Sequence, residues 1–494
     1  MPEHFRALII ILFCATTLFT FARKSACAIT TTENFTHRRN IWFALTLAAF
    51  FSFNFWLFVT IAVAILTYAN RRESNPPALF FTVLFILPVA PVLVPGMGLI
   101  NFLFLLTYPR LLALIVLFPA FIYLRKQSDT LSFGRSGPDK VLAGYLLLAT
   151  ALFLREDTLT NTMRQAFYLF VDVFLPYYVI SRSLKNMSAF RDALLSLVLA
   201  IMILAPIALF ENLKHWLLYS GVAQTLGMTG AMTGYLGRDG MLRAVATAGQ
   251  AIALGYLMVV GMGIYLFIQR RISQNFIRRL GMMLLFAGLI APLSRGPWVG
   301  AVALLTVFIA TGRKPAQRLM TFSLGAALAF FLVTILPGGE RAINLLPFIG
   351  TTESGNIDYR DRLLTNSMIV IQRSPWFGST NYLDTPEMQE MMQGQGIIDV
   401  VNTYIGIALE SGFVGLGLFV AFFVLTLLGI YRAMRSIPDK DSEEYLLGRA
   451  LLSTLLSILL IIFTVSSITI IPIVYWSVAG LGVAYSQMVK KSKA

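Results

Sequence analysis

The chain of 494 residues is 57% hydrophobic and only 13% charged, with a mean hydropathy of +0.75, against about a quarter charged in a soluble domain. Long apolar runs recur without the polar–apolar alternation of barrel strands, which excludes a β-barrel and predicts an all-α, polytopic integral membrane protein. The formal charge of +15 sits mostly in short loops between those runs, the positive-inside signature, so no nucleic-acid partner is expected.

Residues 1–40 read as a signal-like segment or an extra span: Ala7 to Ala22 is apolar behind Arg6, and Ser25-Ala26-Cys27-Ala28 resembles a small-residue cleavage site. Ile41 to Tyr68 is one long tilted span or two short ones turning near Ser52-Phe53-Asn54. Arg38-Arg39 and Arg71-Arg72 at its ends favour two. Further spans are predicted at 77–94, 108–124, 140–154, 166–180, 189–211, 245–268, 279–294, 296–312 and 319–336. After a polar insert come 402–431, 447–467 and 470–487. Several fall short of the roughly 20 residues a perpendicular helix needs, and the total is about 12 to 14. The chain thus divides into the uncertain segment 1–40, a transmembrane part 41–336, a large loop 337–400, and three last spans with a basic tail, 401–494.

The basic groups Arg125-Lys126, Arg182/Lys185/Arg191, Arg270-Arg271/Arg278-Arg279, Arg313-Lys314, Arg432/Arg435 and Lys490-Lys491 fall on one side if the spans alternate. That side should be cytoplasmic. The large loop, a smaller loop at about 212–247, the segment 155–164 and the turn Ser294-Arg295-Gly296-Pro297 then lie outside.

Loops beyond about 12–15 residues are usually functional or disordered, and the large loop lacks a low-complexity tract. Two helices are predicted in it. Asp358 can cap one starting at Tyr359, with Asp361 at the third position and Pro375 as its stop. Thr385-Pro386-Glu387 starts the other, running through Met391-Met392 to Gly394.

Arg295 sits between two apolar stretches. An arginine at membrane depth faces a cavity or partner, or snorkels to headgroups. Arg360 and Arg362 stand early in a loop helix, where the dipole disfavours cations and a bound anion would offset the cost; pairing with Asp358 and Asp361 is the alternative. Arg243 closes the smaller loop, with Arg238 nearby. Asp172 is an acid within a span, a functional candidate or a partner for one of the arginines. Glu410 lies inside the span after the large loop, followed by Gly412, Gly415 and Gly417, which suit close helix packing. Cys14 and Cys27 form no framework, and His4, His37 and His215 are far apart in sequence, so no metal site is expected. No nucleotide-binding glycine motif, Asp-x-Asp pair or Ser/His/Asp set stands out.

Together these residues resemble the O-antigen ligase and O-antigen polymerase superfamily of bacterial membrane glycosyltransferases. Leu293-Ser294-Arg295-Gly296-Pro297-Trp298 looks like the family's Ser-Arg-Gly turn. Arg360-Asp361-Arg362-Leu363-Leu364 followed by Ser374-Pro375-Trp376-Phe377-Gly378 resembles its loop pattern. Asn402-Thr403-Tyr404 with Glu410-Ser411-Gly412 resembles the segment after the loop, and Arg243 the arginine before the middle spans. The resemblance covers roughly 240–430. One position departs from it: family ligases carry a histidine base directly before the Asn, and here that residue is Val401.

The resemblance implies glycan transfer from an undecaprenyl diphosphate carrier at the periplasmic face of the bacterial inner membrane, in exopolysaccharide or lipopolysaccharide synthesis. The acceptor would be another glycan or a lipid, and other polysaccharide-assembly proteins would be partners. Arg243, Arg295, Arg360 and Arg362 would hold the diphosphate, where charge develops. Asp399, Glu410 or His215 would take the acceptor proton, unless so good a leaving group needs no strong base; Asp172, His215 and Asn402 would support the site, and neither cofactor nor metal is then required. Loss of the histidine favours a polymerase over a ligase. The rival class is a flippase of lipid-linked oligosaccharide, although no repeat relates the two halves as transporters tend to show; a non-catalytic assembly protein is a third reading.

Overall fold

A computed structural model describes residues 2–96, 98, 101–228, 237–238, 240–335, 339–345, 354–393 and 396–492. The fold is almost wholly helical. In chain order come α1 (Glu3–Ala26), α2 (Thr32–Phe51), α3 (Phe55–Arg72), α4 (Pro76–Val83), β1 (Val92–Pro95), β2 (Phe102–Leu106), α5 (Tyr108–Lys126), α6 (Gly137–Glu156), α7 (159–183), α8 (Met187–Lys214) and α9 (Ser220–Thr225). There follow β3 (Gly237–Arg238), β4 (Met241–Leu242), α10 (Ala251–Ile268), α11 (Asn275–Ile290), α12 (Arg295–Ala310), α13 (Pro315–Ile335), α14 (Gly339–Leu345), α15 (Ser354–Arg373), α16 (Pro386–Gln389), α17 (Thr403–Arg435), α18 (Glu443–Ile461) and α19 (Ile471–Lys491).

Among the described residues, eight helices are long and apolar enough to cross a bilayer, and α12 is a shorter apolar helix of the same kind. The expected total of about 12 to 14 exceeds the eight that meet this standard among the described residues. α13 is the plainest membrane element. It is apolar, none of its residues is buried, and Leu324, Leu328 and Phe331 face outward. A helix apolar on all sides and uncovered by protein needs lipid.

The run 41–68 resolves into two helices. Ser52-Phe53-Asn54 breaks it, and Asn54 caps α3 by accepting from Leu57 N at 2.8 Å. The predicted span 77–94 is corrected: only Pro76–Val83 is helical, and the chain goes on to the antiparallel pair β1–β2. Pro88, Pro91 and Pro95 account for this, since each removes a helical donor and clashes with the preceding turn.

In the large loop, α15 begins at Ser354, so Asp358 lies inside the helix instead of capping it; its end at Arg373, before Pro375, is as expected. Thr385 caps the second helix with Pro386 at the first position, but that helix ends at Gln389. The chain turns there so that Met388 and Met391 pack with Leu363, Val370 and Ile371 in a small core shared with Ala408 and Leu409 of α17. Gly394 lies outside the described residues.

α17 packs along α6 and α19, α12 along α18, α19 along α7, and α8 along α4 and α10. Ion pairs gather the basic loops at one end. Glu443 binds Arg191 and Arg271, Lys185 reaches Asp129 at 2.8 Å, and Arg38 joins Glu73 at 2.7 Å and Asp192 at 2.6 Å. At the other end the large loop meets Arg155–Glu156, Arg295 and the segment 464–466 through the contacts described next.

Candidate active site

The turn joining α11 to α12 is the centre of that second end. Leu293 has a left-handed backbone, φ 49°, unusual for a branched side chain, and packing on every side holds it. Arg238 donates to Leu293 O, Arg243 Nε reaches Pro292 O at 3.3 Å, and Asn212 donates to Ala291 O at 3.3 Å. Arg295 is the first residue of α12, a position the helix dipole disfavours for a cation. Its Nε and Nη2 donate to Leu345 O at 3.1 Å and Asn344 O at 2.9 Å. Those carbonyls end α14, where the dipole favours a cation.

Glu211, at the end of α8, secures the Arg243 segment from beneath. Its buried carboxylate accepts from Leu218 N at 3.0 Å, Val245 N at 3.0 Å and Ala246 N at 2.8 Å. Ala246 is left-handed, φ 44°. Nothing in the sequence distinguishes Glu211 from a surface residue at a helix end.

Arg360 joins from the large loop. Its Nη2 lies 3.4 Å from Thr464 O, and the Thr464 hydroxyl packs against Gly296 of the turn. Desolvation holds the Arg360 guanidinium below the usual arginine range; Asp399 pulls it up and Arg238 pushes it down. It therefore feels both a carboxylate and a second arginine while remaining charged. Asp399 accepts from the Ser466 hydroxyl, and Tyr359 OH donates to Asp399 O at 3.0 Å. Arg243, Arg295 and Arg360 are thus brought around one turn, with Arg238 and Asp399 beside them. Arg362 is exposed, and two residues along a helix place it on a different face from Arg360. Asn402 is structural: it caps α17, accepting from Tyr404 N at 2.9 Å and Ile405 N at 3.3 Å. His215 ends α8 with a left-handed backbone, φ 53°.

Asp172 belongs to a separate group. It lies in a π-helical turn, Leu169–Phe174, a geometry frequent at functional sites. Its partner is Arg110, at 2.8 Å, and not an arginine of the turn; Arg110 also stacks over Tyr168 at 3.7 Å. Sequence reasoning does not single out Arg110. A lone arginine after Tyr108-Pro109, within a long apolar run, is the signal that could have found it. The pair lines a cavity of about 290 Å³ together with Glu410, Tyr145, Ser467 and Tyr475. Among the described residues, Glu410 makes no hydrogen bond or ion pair. Burial, then the Glu410 carboxylate, push the Tyr382 phenol of the large loop up to about 12.

Glu410 stands at a break in α17. Gly412 has φ 64° and ψ −169°, which only glycine adopts without cost. The backbone groups released there are taken by the large loop. Phe413 N donates to Pro375 O at 2.8 Å, Val414 N to Trp376 O at 3.1 Å, and Ser379 N to Leu409 O at 2.9 Å. Glu156 clamps the same strip from α6, accepting from Thr380 N at 2.6 Å and Ser379 Oγ at 2.9 Å. The stretches Ser374–Gly378 and Glu410–Gly412 are therefore one structural unit.

Residues 280–420 match the family model described as O-Antigen ligase. This stretch is similar to O-antigen ligases. It holds the Arg295 turn, the large loop, Asp399 and the broken helix at Glu410, while Arg243 and Asp172 lie upstream. The match supports the superfamily of O-antigen ligases and polymerases, membrane glycosyltransferases that act on lipid-linked glycan and an acceptor. No curated protein matches the chain.

Proposed function

We propose that the chain transfers glycan from an undecaprenyl diphosphate carrier to an acceptor hydroxyl at the periplasmic face of the inner membrane, as a polymerase of surface polysaccharide. The acceptor oxygen bonds to the anomeric carbon, the bond from that carbon to the phosphate oxygen breaks, and the carrier leaves as its diphosphate. The acceptor proton passes to a carboxylate. The observation that carries this reading is the convergence of Arg243, Arg295 and Arg360 on the α11–α12 turn. Guanidinium groups fixed before reaction stabilise charge that grows on a leaving diphosphate, and no metal is required for that role.

Asp399 is the proton acceptor in this scheme, because it stands two residues before Val401, the family's base position, and within the electrostatic reach of Arg360. Val401 in place of the family's histidine favours polymerase over ligase. The basic loops gathered at the opposite end favour a periplasmic site.

The test is the pair Arg295→Lys and Arg295→Ala, assayed on purified protein with a synthetic lipid diphosphate glycan. Lysine keeps the charge but loses the fork, so activity should fall by about tenfold to a hundredfold; alanine should abolish it with the protein still folded. Near-normal polymer from Arg295→Ala would overturn the assignment and return the flippase reading.

A further inference from the structure

At the basic end of the bundle, remote from the proposed active site, the end of α10, the start of α11, the end of α12, the start of α13 and one face of α18 border an open, shallow pocket of about 430 Å³. Arg270, Arg278, Arg318 and Arg449 line it. Two acids at this end pair with other arginines: Glu443 holds Arg191 and Arg271, and Asp441 holds Arg313. Among the described residues none of the four pocket arginines has an ion-pair partner.

Arg449 sets this apart from an ordinary basic loop. It projects from within a spanning helix and is only 8% exposed. One nitrogen donates to Phe308 O, and its charge lies 4.1 Å over the Phe308 ring. Its Nε is buried with no hydrogen-bond partner among the described residues. A buried guanidinium with an unused donor and no carboxylate in contact is costly, and a bound anion would offset that cost. Gly312 passes so close to Arg449 Nη2, 2.6 Å from where a Cβ would stand, that the side chain is confined to the pocket wall.

We infer that this pocket binds the phosphate headgroup of an anionic phospholipid of the cytoplasmic leaflet. Four guanidinium groups suit a phosphodiester. The adjoining surface favours a lipid over a soluble anion: α13, which carries Arg318, has no buried residue, so acyl chains can lie along it while the headgroup enters the pocket. The inference goes beyond the transfer reaction and does not depend on it.

Native mass spectrometry of the full chain, titrated with phosphatidylglycerol or phosphatidylcholine, tests it. Arg270→Gln and Arg318→Gln alter exposed side chains and leave the fold intact; Arg449→Gln probes the buried contact. The wild type should retain one phosphatidylglycerol and no phosphatidylcholine, with affinity about tenfold weaker for each arginine removed. Equal retention by wild type and the Arg270→Gln/Arg318→Gln double variant would overturn the site. Displacement of the lipid by millimolar inorganic phosphate, or equal thermal stabilisation by phosphate in neutral-lipid nanodiscs, would overturn the lipid assignment.

Discussion

Asp399 and Glu410 are both carboxylates of the stretch that resembles O-antigen ligases, and their surroundings differ. Asp399 accepts from Ser466 and favours the charged form of Arg360 beside it, so its carboxylate sits next to the arginines. Glu410 faces a separate cavity with the Arg110–Asp172 pair and three tyrosines, a setting that suits sugars of the acceptor beyond the reacting hydroxyl. Asp399→Asn should therefore lower kcat by about a hundredfold or more, the usual worth of a positioned base. Glu410→Gln should act chiefly on KM for the acceptor, and His215→Ala should cost least. Steady-state kinetics with donor and acceptor varied separately check this. A dead His215→Ala with active carboxylate variants would reverse the assignment.

The element that most depends on a single residue is α17. Its break at Gly412 exists because φ 64° is open to glycine, and because the strip Pro375–Gly378 supplies partners for the backbone groups the break exposes. A Cβ at Gly412 would stand 2.3 Å from the Trp376 carbonyl carbon. Gly412→Ala should therefore cost about 3 kcal/mol or more in loop docking, from backbone strain with the clash added. Limited proteolysis should cut within 354–393 faster, and transfer activity should fall with it. Gly417→Ala, in the same helix with open space around its would-be Cβ, is the control and should be silent. Protection of the loop unchanged in Gly412→Ala would mean that the loop is held by Glu156 instead.

Across the whole molecule, one end carries the ion-paired basic loops and the other carries the arginine turn, the large loop and the broken helix. The positive-inside rule assigns the first end to the cytoplasm. Thr365 in the large loop and Lys440 at the basic end are both exposed, which makes them suitable probes. In a background without Cys14 and Cys27, Thr365→Cys should react with a membrane-impermeant thiol reagent in intact spheroplasts. Lys440→Cys should react only after permeabilisation. The reverse pattern would invert the molecule and remove the periplasmic site.

Hydropathy and charge are local and additive along the chain, and they suffice for what the sequence determined alone: a helical membrane protein, its basic loops, the two-helix reading of 41–68, and the segments that carry Arg295, Arg360 and Glu410. Helix length was less legible where prolines outweighed hydropathy, as at 77–94. Tertiary structure alone decided which distant groups meet. Asp172 pairs with Arg110, 62 residues away, because α5 and α7 bring them to one cavity wall, and no periodicity encodes that choice. The same holds for the join between Gly378 and Gly412, and for Glu211 beneath the Arg243 segment. Each satisfies backbone groups that a folded helix end or break would otherwise bury unpaired, a demand that arises only once the chain has packed.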